Sequence, residues 1–172
     1  GSGSAMLAAG DLYSVAITQS GQLTAREIRV QSEGAGDVVI SGTLDATSET
    51  AGTRGGAVLV TGARVGVLAG AKIDASGPAG GGEILVGGDF QGANPEVRNS
   101  RVTLVARDAT LRADATTQGG GGRVIVWADE TTVFNGTLTA TGAGAQGAGG
   151  FAEISGQGRL AFSGVVSLTG GG

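Results

Sequence analysis

Apolar residues in this chain fall in short alternating runs rather than at helical spacing. One design repeats four times: Ala57-Val58-Leu59-Val60, Glu83-Ile84-Leu85-Val86, Arg123-Val124-Ile125-Val126 and Phe151-Ala152-Glu153-Ile154. Each run is opened by a glycine pair, at Gly55-Gly56, Gly81-Gly82, Gly121-Gly122 and Gly149-Gly150, and Glu27-Ile28-Arg29-Val30 fits the same slot without glycines. A period of two marks a strand with one face buried. No window holds apolar residues at i, i+3, i+4 and i+7 without a glycine interruption, so no helix is predicted.

Two further strands keep phase with the first. A motif of Leu or Ile followed two positions later by Ala recurs at Leu23-Thr24-Ala25, Leu44-Asp45-Ala46, Ile73-Asp74-Ala75, Leu111-Arg112-Ala113 and Leu138-Thr139-Ala140, with a degenerate copy at Val166-Ser167-Leu168. Another strand lies between these two types, anchored at Ile40, Val67, Leu104, Phe134 and Phe162. Three strand types in one fixed order, returning every ~26–30 residues, predict a solenoid. The fold class is therefore all-β: a right-handed parallel β-helix with three short strands per coil and about five to six coils. A β-sandwich shares the turn spacing, and Asn135-Gly136 is a hairpin-type dipeptide, but a sandwich gives no reason for the fixed order.

Alternation also assigns faces. Ile28, Val58, Ile84, Val124 and Ala152 form one inward column, and Val30, Val60, Val86, Val126 and Ile154 the other. Glu83 and Arg123 become outward neighbours on adjacent coils. Leu59, Leu85, Ile125 and Trp127 form an apolar strip on the outward face. One coil is also longer than its neighbours, and the excess maps to residues 89–100, DFQGANPEVRNS. Two readings follow. Either this insertion folds back over the strip and buries Trp127 or Phe90, or Leu59, Leu85, Phe90, Ile125 and Trp127 form an exposed partner-binding patch.

Composition narrows the chemistry. Aromatic residues are 3% of the chain, so the core must be built from small aliphatic side chains. Cysteine and histidine are absent, which removes disulfides, thiolate metal sites and imidazole bases; no cofactor and no metal is expected. A net charge of −4 with scattered signs argues against a nucleic-acid partner. No apolar run approaches the ~18 residues of a membrane span. Residues 1–6 read as a tag remnant, leaving residues 7–172 as a single solenoid domain with its insertion at 89–100. Runs such as Gly119-Gly120-Gly121-Gly122 lack a following Lys-Ser/Thr and are corners, not phosphate loops.

One column carries candidate chemistry. Asp45, Asp74 and Arg112 stack on successive coils between Thr24 and Thr139, and paired carboxylates beside an arginine could imitate a polysaccharide-lyase site. The plainer reading is a solvated column in which Arg112 offsets the repulsion between the carboxylates. No catalytic residue is assigned.

The runs LYSVAITQSGQLTA, GAKIDASGPAGGGEILVGGDFQGANP, ATLRADATTQGGGGRVIVWAD and GGFAEISGQGRLAFSG resemble the filamentous-haemagglutinin-type exoproteins of two-partner secretion systems. The likeness runs through residues 11–168 and is most specific in 80–95 and 124–129. It implies export through an outer-membrane transporter and a β-helical fibre, secreted or on the cell surface of a Gram-negative-type bacterium, serving adhesion, cell–cell contact or biofilm. Such exoproteins address the transporter through a domain bearing Asn-Pro-Asn-Gly, whereas this sequence has only Asn94-Pro95. The chain therefore reads as the β-helical segment after the secretion domain. The expected function is a non-catalytic structural and adhesive rod, with a surface glycan or protein as candidate partner; the alternative is a carbohydrate-active or glycan-binding β-helix using Asp45, Asp74 and Arg112. Unpaired strand edges at the ends predict end-to-end self-association.

Overall fold

The computed structural model describes residues 3–9 and 15–172. Gly1 and Ser2 of the proposed remnant, and residues 11–14 at the start of the family-like stretch, lie outside the described residues. The chain winds through six coils of three strands each. The first coil holds β1 (Ser4–Ala9), β2 (Val15–Gln19) and β3 (Gln22–Thr24); the second holds β4 (Glu27–Ser32), β5 (Asp37–Ile40) and β6 (Thr43–Asp45). In the third are β7 (Ala57–Thr61), β8 (Arg64–Val67) and β9 (Lys72–Asp74), and in the fourth β10 (Glu83–Val86), β11 (Val102–Val105) and β12 (Thr110–Arg112). The fifth contributes β13 (Arg123–Ala128), β14 (Thr131–Phe134) and β15 (Thr137–Thr139), and the sixth β16 (Phe151–Gly156), β17 (Arg159–Phe162) and β18 (Val165–Ser167). Every third strand pairs in parallel with its counterparts, giving three six-stranded sheets. This is a parallel β-helix, with the right-handed winding that a right-twisted strand imposes on its crossovers.

Register turns sequence columns into packed ones. In the first sheet Ile28, Val58, Ile84 and Val124 stack in one line and Val30, Val60, Val86 and Val126 in the next, all essentially without solvent exposure. In the third sheet Leu44, Ile73, Leu111 and Leu138 form the inward line. Each such side chain contributes about 1.5–3 kcal/mol by leaving water. The narrow prism has little room for rings, and Phe134 is its largest fully buried side chain. Its ring stacks on Phe162 of the last coil, centroids 5.8 Å apart.

The second sheet corrects one sequence assignment. Val105, not Leu104, pairs with Val67 and Phe134 and is fully buried; Leu104 faces outward opposite Gly66. The run Val102-Thr103-Leu104-Val105 has apolar residues in both phases, so alternation alone leaves its facing undetermined. At the other end of this column, Gln19 occupies the inward slot beside Ile40 and is 4% exposed. Its Nε2 donates to the carbonyl of Gly21 at 2.8 Å. Residues 4–6, set apart from the fold on sequence grounds, also take part in it. Ser4, Ala5 and Met6 pair with Glu27, Ile28 and Arg29, and Ala5 extends the inward column.

The glycine pairs are needed for proximity. A Cβ on Gly81 would sit 1.8 Å from the carbonyl oxygen of Ala113 on the next coil, and one on Gly121 2.0 Å from that of Ala140. Only a residue without a side chain lets successive corners close on each other there.

Candidate functional site

The insertion leaves the fourth coil at Gly87, crosses the outer face of the first sheet and returns at Ser100. Its anchor is Asp89. One carboxylate oxygen accepts the Phe90 N–H at 2.6 Å and Arg123 Nη2 at 2.5 Å, and the other accepts Asn94 Nδ2 at 2.8 Å. Arg123 also pairs with Glu83, the neighbour that the register predicts. Burial pushes the Asp89 carboxyl up, but the hydrogen bonds from Asn94, Phe90 and Arg123 outweigh it, and the net shift is downward.

From that anchor the insertion reaches coils on both sides. Arg98 extends back to the second coil, donating to the carbonyl of Ser32 at 2.8 Å and to that of Gly34. In the other direction Glu153 of the sixth coil accepts the Gln91 N–H at 3.1 Å, and Phe90 packs edge-tilted on Phe151 at 5.8 Å. The insertion thus straps coils two to six together.

Under the strap lies the apolar strip. Leu59, Leu85, Ile125 and Trp127 are 8%, 7%, 0% and 5% exposed and form their own cluster, with Val97 of the insertion packed on it. Trp127 donates its indole N–H to Asp129 at 2.9 Å. The insertion's backbone lies against the indole at Gly92, whose φ of 60° and lack of side chain are both required: a Cβ there would meet the ring at 2.6 Å. Leu59, Leu85, Ile125 and Trp127 thus have little exposed surface, and of the two aromatics Trp127 is buried and Phe90 is not. Of the five patch residues only Phe90 stays substantially exposed, at 42%. A cavity of about 240 Å³ remains between strap and sheet, floored by Leu59 and Leu85 and edged by Glu27, Asp89, Glu96 and Val97.

The acidic column stacks in the order read from the sequence: Asp45 pairs with Asp74, and Asp74 with Arg112. Its carboxylates are engaged locally. Asp45 accepts from the Thr47 hydroxyl at 2.6 Å and N–H at 3.1 Å, and Asp74 accepts the Ser76 N–H at 2.9 Å. Arg112 lies 3.7 Å from Asp74 but closer, at 3.3 Å, to Asp114. Asp114, which no sequence argument singled out, is the buried member of the group. It gathers Thr139 Oγ1 at 2.8 Å, the Thr141 N–H at 2.7 Å and Thr141 Oγ1 at 3.0 Å. Burial raises its pKa, these hydrogen bonds and that from Arg112 lower it, and the lowering wins. A carboxylate held ionised and saturated in this way is a poor proton shuttle and a good brace.

The glycine-paired corners leave an open axial groove of about 920 Å³ along the first sheet, with Arg26 and Arg54 on its rim. Each guanidinium donates to a backbone carbonyl one coil on, Arg26 to Arg54 and Arg54 to Gly81. Among the described residues no group of three or more His, Cys, Asp or Glu is placed to hold a metal ion.

No family model matches the sequence, and no curated protein does. Among solved structures the fold is similar to the HMW1 secretion domain from Haemophilus influenzae, with a TM-score of 0.72 and 27% identity. The match covers 88% of this chain and 42% of that one, so the chain spans less than half the length of the structure it resembles. With the motif-bearing runs now placed on successive coils of one continuous helix and this likeness beside them, the chain is a parallel β-helix that resembles part of a secretion domain of the two-partner type.

Proposed function

We propose that the chain is a structural and adhesive rod segment of a large secreted bacterial surface protein, carrying no catalytic chemistry of its own. The observation behind this reading is the parallel stacking of all three sheets through six coils, with one register shift, between Val15 and Ile17 at the start of the second sheet. Such a design gives length and stiffness and presents outward columns to solvent or to a receptor. The likeness to part of a secretion domain supports export through an outer-membrane transporter and residence outside the cell. A reporter fused to residues 1–172 and expressed with that transporter stays in the periplasm if the address lies elsewhere in the exoprotein, the result expected here. Export of the fusion would place the address within this stretch. Adhesion is read by coating beads with the chain and counting those retained on bacterial or host cells; retention no greater than with an unrelated β-helix would overturn it.

The carbohydrate-active alternative rests on Asp45, Asp74 and Arg112. Incubation with acidic polysaccharides should yield no unsaturated sugar absorbance. Activity that disappears in Asp74→Ala would replace the rod reading with the enzymatic one.

A further inference from the structure

We infer that Asn135-Gly136, at the corner between β14 and β15, is a self-modifying site: Asn135 cyclises on the following backbone nitrogen and loses its side-chain ammonia. Three observations converge on this corner. The side-chain carbonyl oxygen of Asn135 accepts a hydrogen bond from the Ser163 hydroxyl at 2.6 Å, a donor placed where negative charge develops when the amide carbon is attacked. The Gly136 N–H, the nucleophile once deprotonated, donates to no acceptor among the described residues, as at Gly21 and Gly164, while the Gly42 N–H is tied to Gln19 at 3.1 Å. Gly136 also puts no Cβ in the way of ring closure, and a side chain there would meet the Ala109 carbonyl at 2.7 Å, so the corner is closed to other residues. The same two-residue corner is Ser20-Gly21, Ser41-Gly42 and Ser163-Gly164 in other coils. Serine satisfies the corner there, and only the fifth coil supplies a side-chain amide.

The chemistry balances without a co-reactant other than water. The Gly136 nitrogen gives its proton to hydroxide and forms a bond to Cγ of Asn135; the Cγ–Nδ2 bond breaks and ammonia leaves. Water then opens the five-membered imide at either carbonyl, giving aspartate or its β-linked isomer. The first product sets a carboxylate against Ser163. The second lengthens the main chain by one carbon inside a corner only two residues long, displacing β15 from its register with Leu111 and Val166.

The experiment incubates the folded chain at mildly alkaline pH, alongside a sample unfolded in urea, and follows Asn135 by peptide mass mapping and isoaspartate detection. Conversion in the folded chain within a few-fold of the unfolded rate is expected. Ser163→Ala should slow the folded reaction several-fold and leave the unfolded one unchanged. Asn135→Ser, which installs the residue of the sibling corners, is the folded control and should show no mass gain. A folded chain that keeps Asn135 intact while the unfolded chain converts would overturn the inference. An unchanged folded rate in Ser163→Ala would remove Ser163 from it.

Discussion

Asp114 shows what one side chain does in a stacked fold. It sits on the fourth coil, takes three of its hydrogen bonds from Thr139 and Thr141 on the fifth, and pairs with Arg112 beside it. Asp114→Ala strands those donors and should cost about 2 kcal/mol, measured by urea denaturation. Because the folded-state pKa of Asp114 is lowered, its contribution is complete above the carboxyl pKa of the unfolded chain and is lost as pH falls through the folded value. The difference in stability between wild type and Asp114→Asn should therefore shrink on acidification and stay level above about pH 5. Asp114 was invisible in the sequence for a physical reason: its partners lie 25 and 27 residues away and become neighbours only through coil stacking. Asp45 and Asp74 were visible because they share a column with the repeating Leu/Ile motif, but their own turns occupy them.

At the scale of an element, the insertion is the part that sequence located without resolving. Its excess length was plain from the glycine spacing, and the apolar strip was plain from alternation. What held them together was not, because Arg98 reaches carbonyls 64 and 66 residues away and backbone acceptors leave no mark in a sequence. Trp127 is the natural probe. Its emission should be blue-shifted and protected from iodide in the intact chain, and red-shifted and quenchable when residues 89–100 are replaced by a short glycine linker. A quenchable indole in the intact chain would show that the strap does not cover it. Arg98→Ala should cost about 1 kcal/mol and loosen the strap's start, read as faster amide exchange in residues 97–99.

At the scale of the whole chain, each interior coil leans on the two beside it, and within these 172 residues the sixth coil packs on the fifth. Phe162, Leu160, Val165 and Val166, interior positions or their flanks in earlier coils, are 51%, 47%, 61% and 37% exposed there. The three strand edges of that coil run the same way as those of the first, so a second copy can continue them only head to tail. Sedimentation velocity should show concentration-dependent growth of the 172-residue chain; a sharp monomer at all concentrations would contradict it. The strap also governs how this β-helix responds to tension. Interstrand hydrogen bonds in a β-helix point along its long axis. Tension applied between the two ends therefore opens them a coil at a time, like a zipper, and not all together in shear. The strap is fastened to the second coil by Arg98 and to the sixth by Glu153, and it lies across that line of tearing. In a single-molecule pulling trace, the coils beneath it should release together in one tall event, while a strapless chain gives a run of low ones.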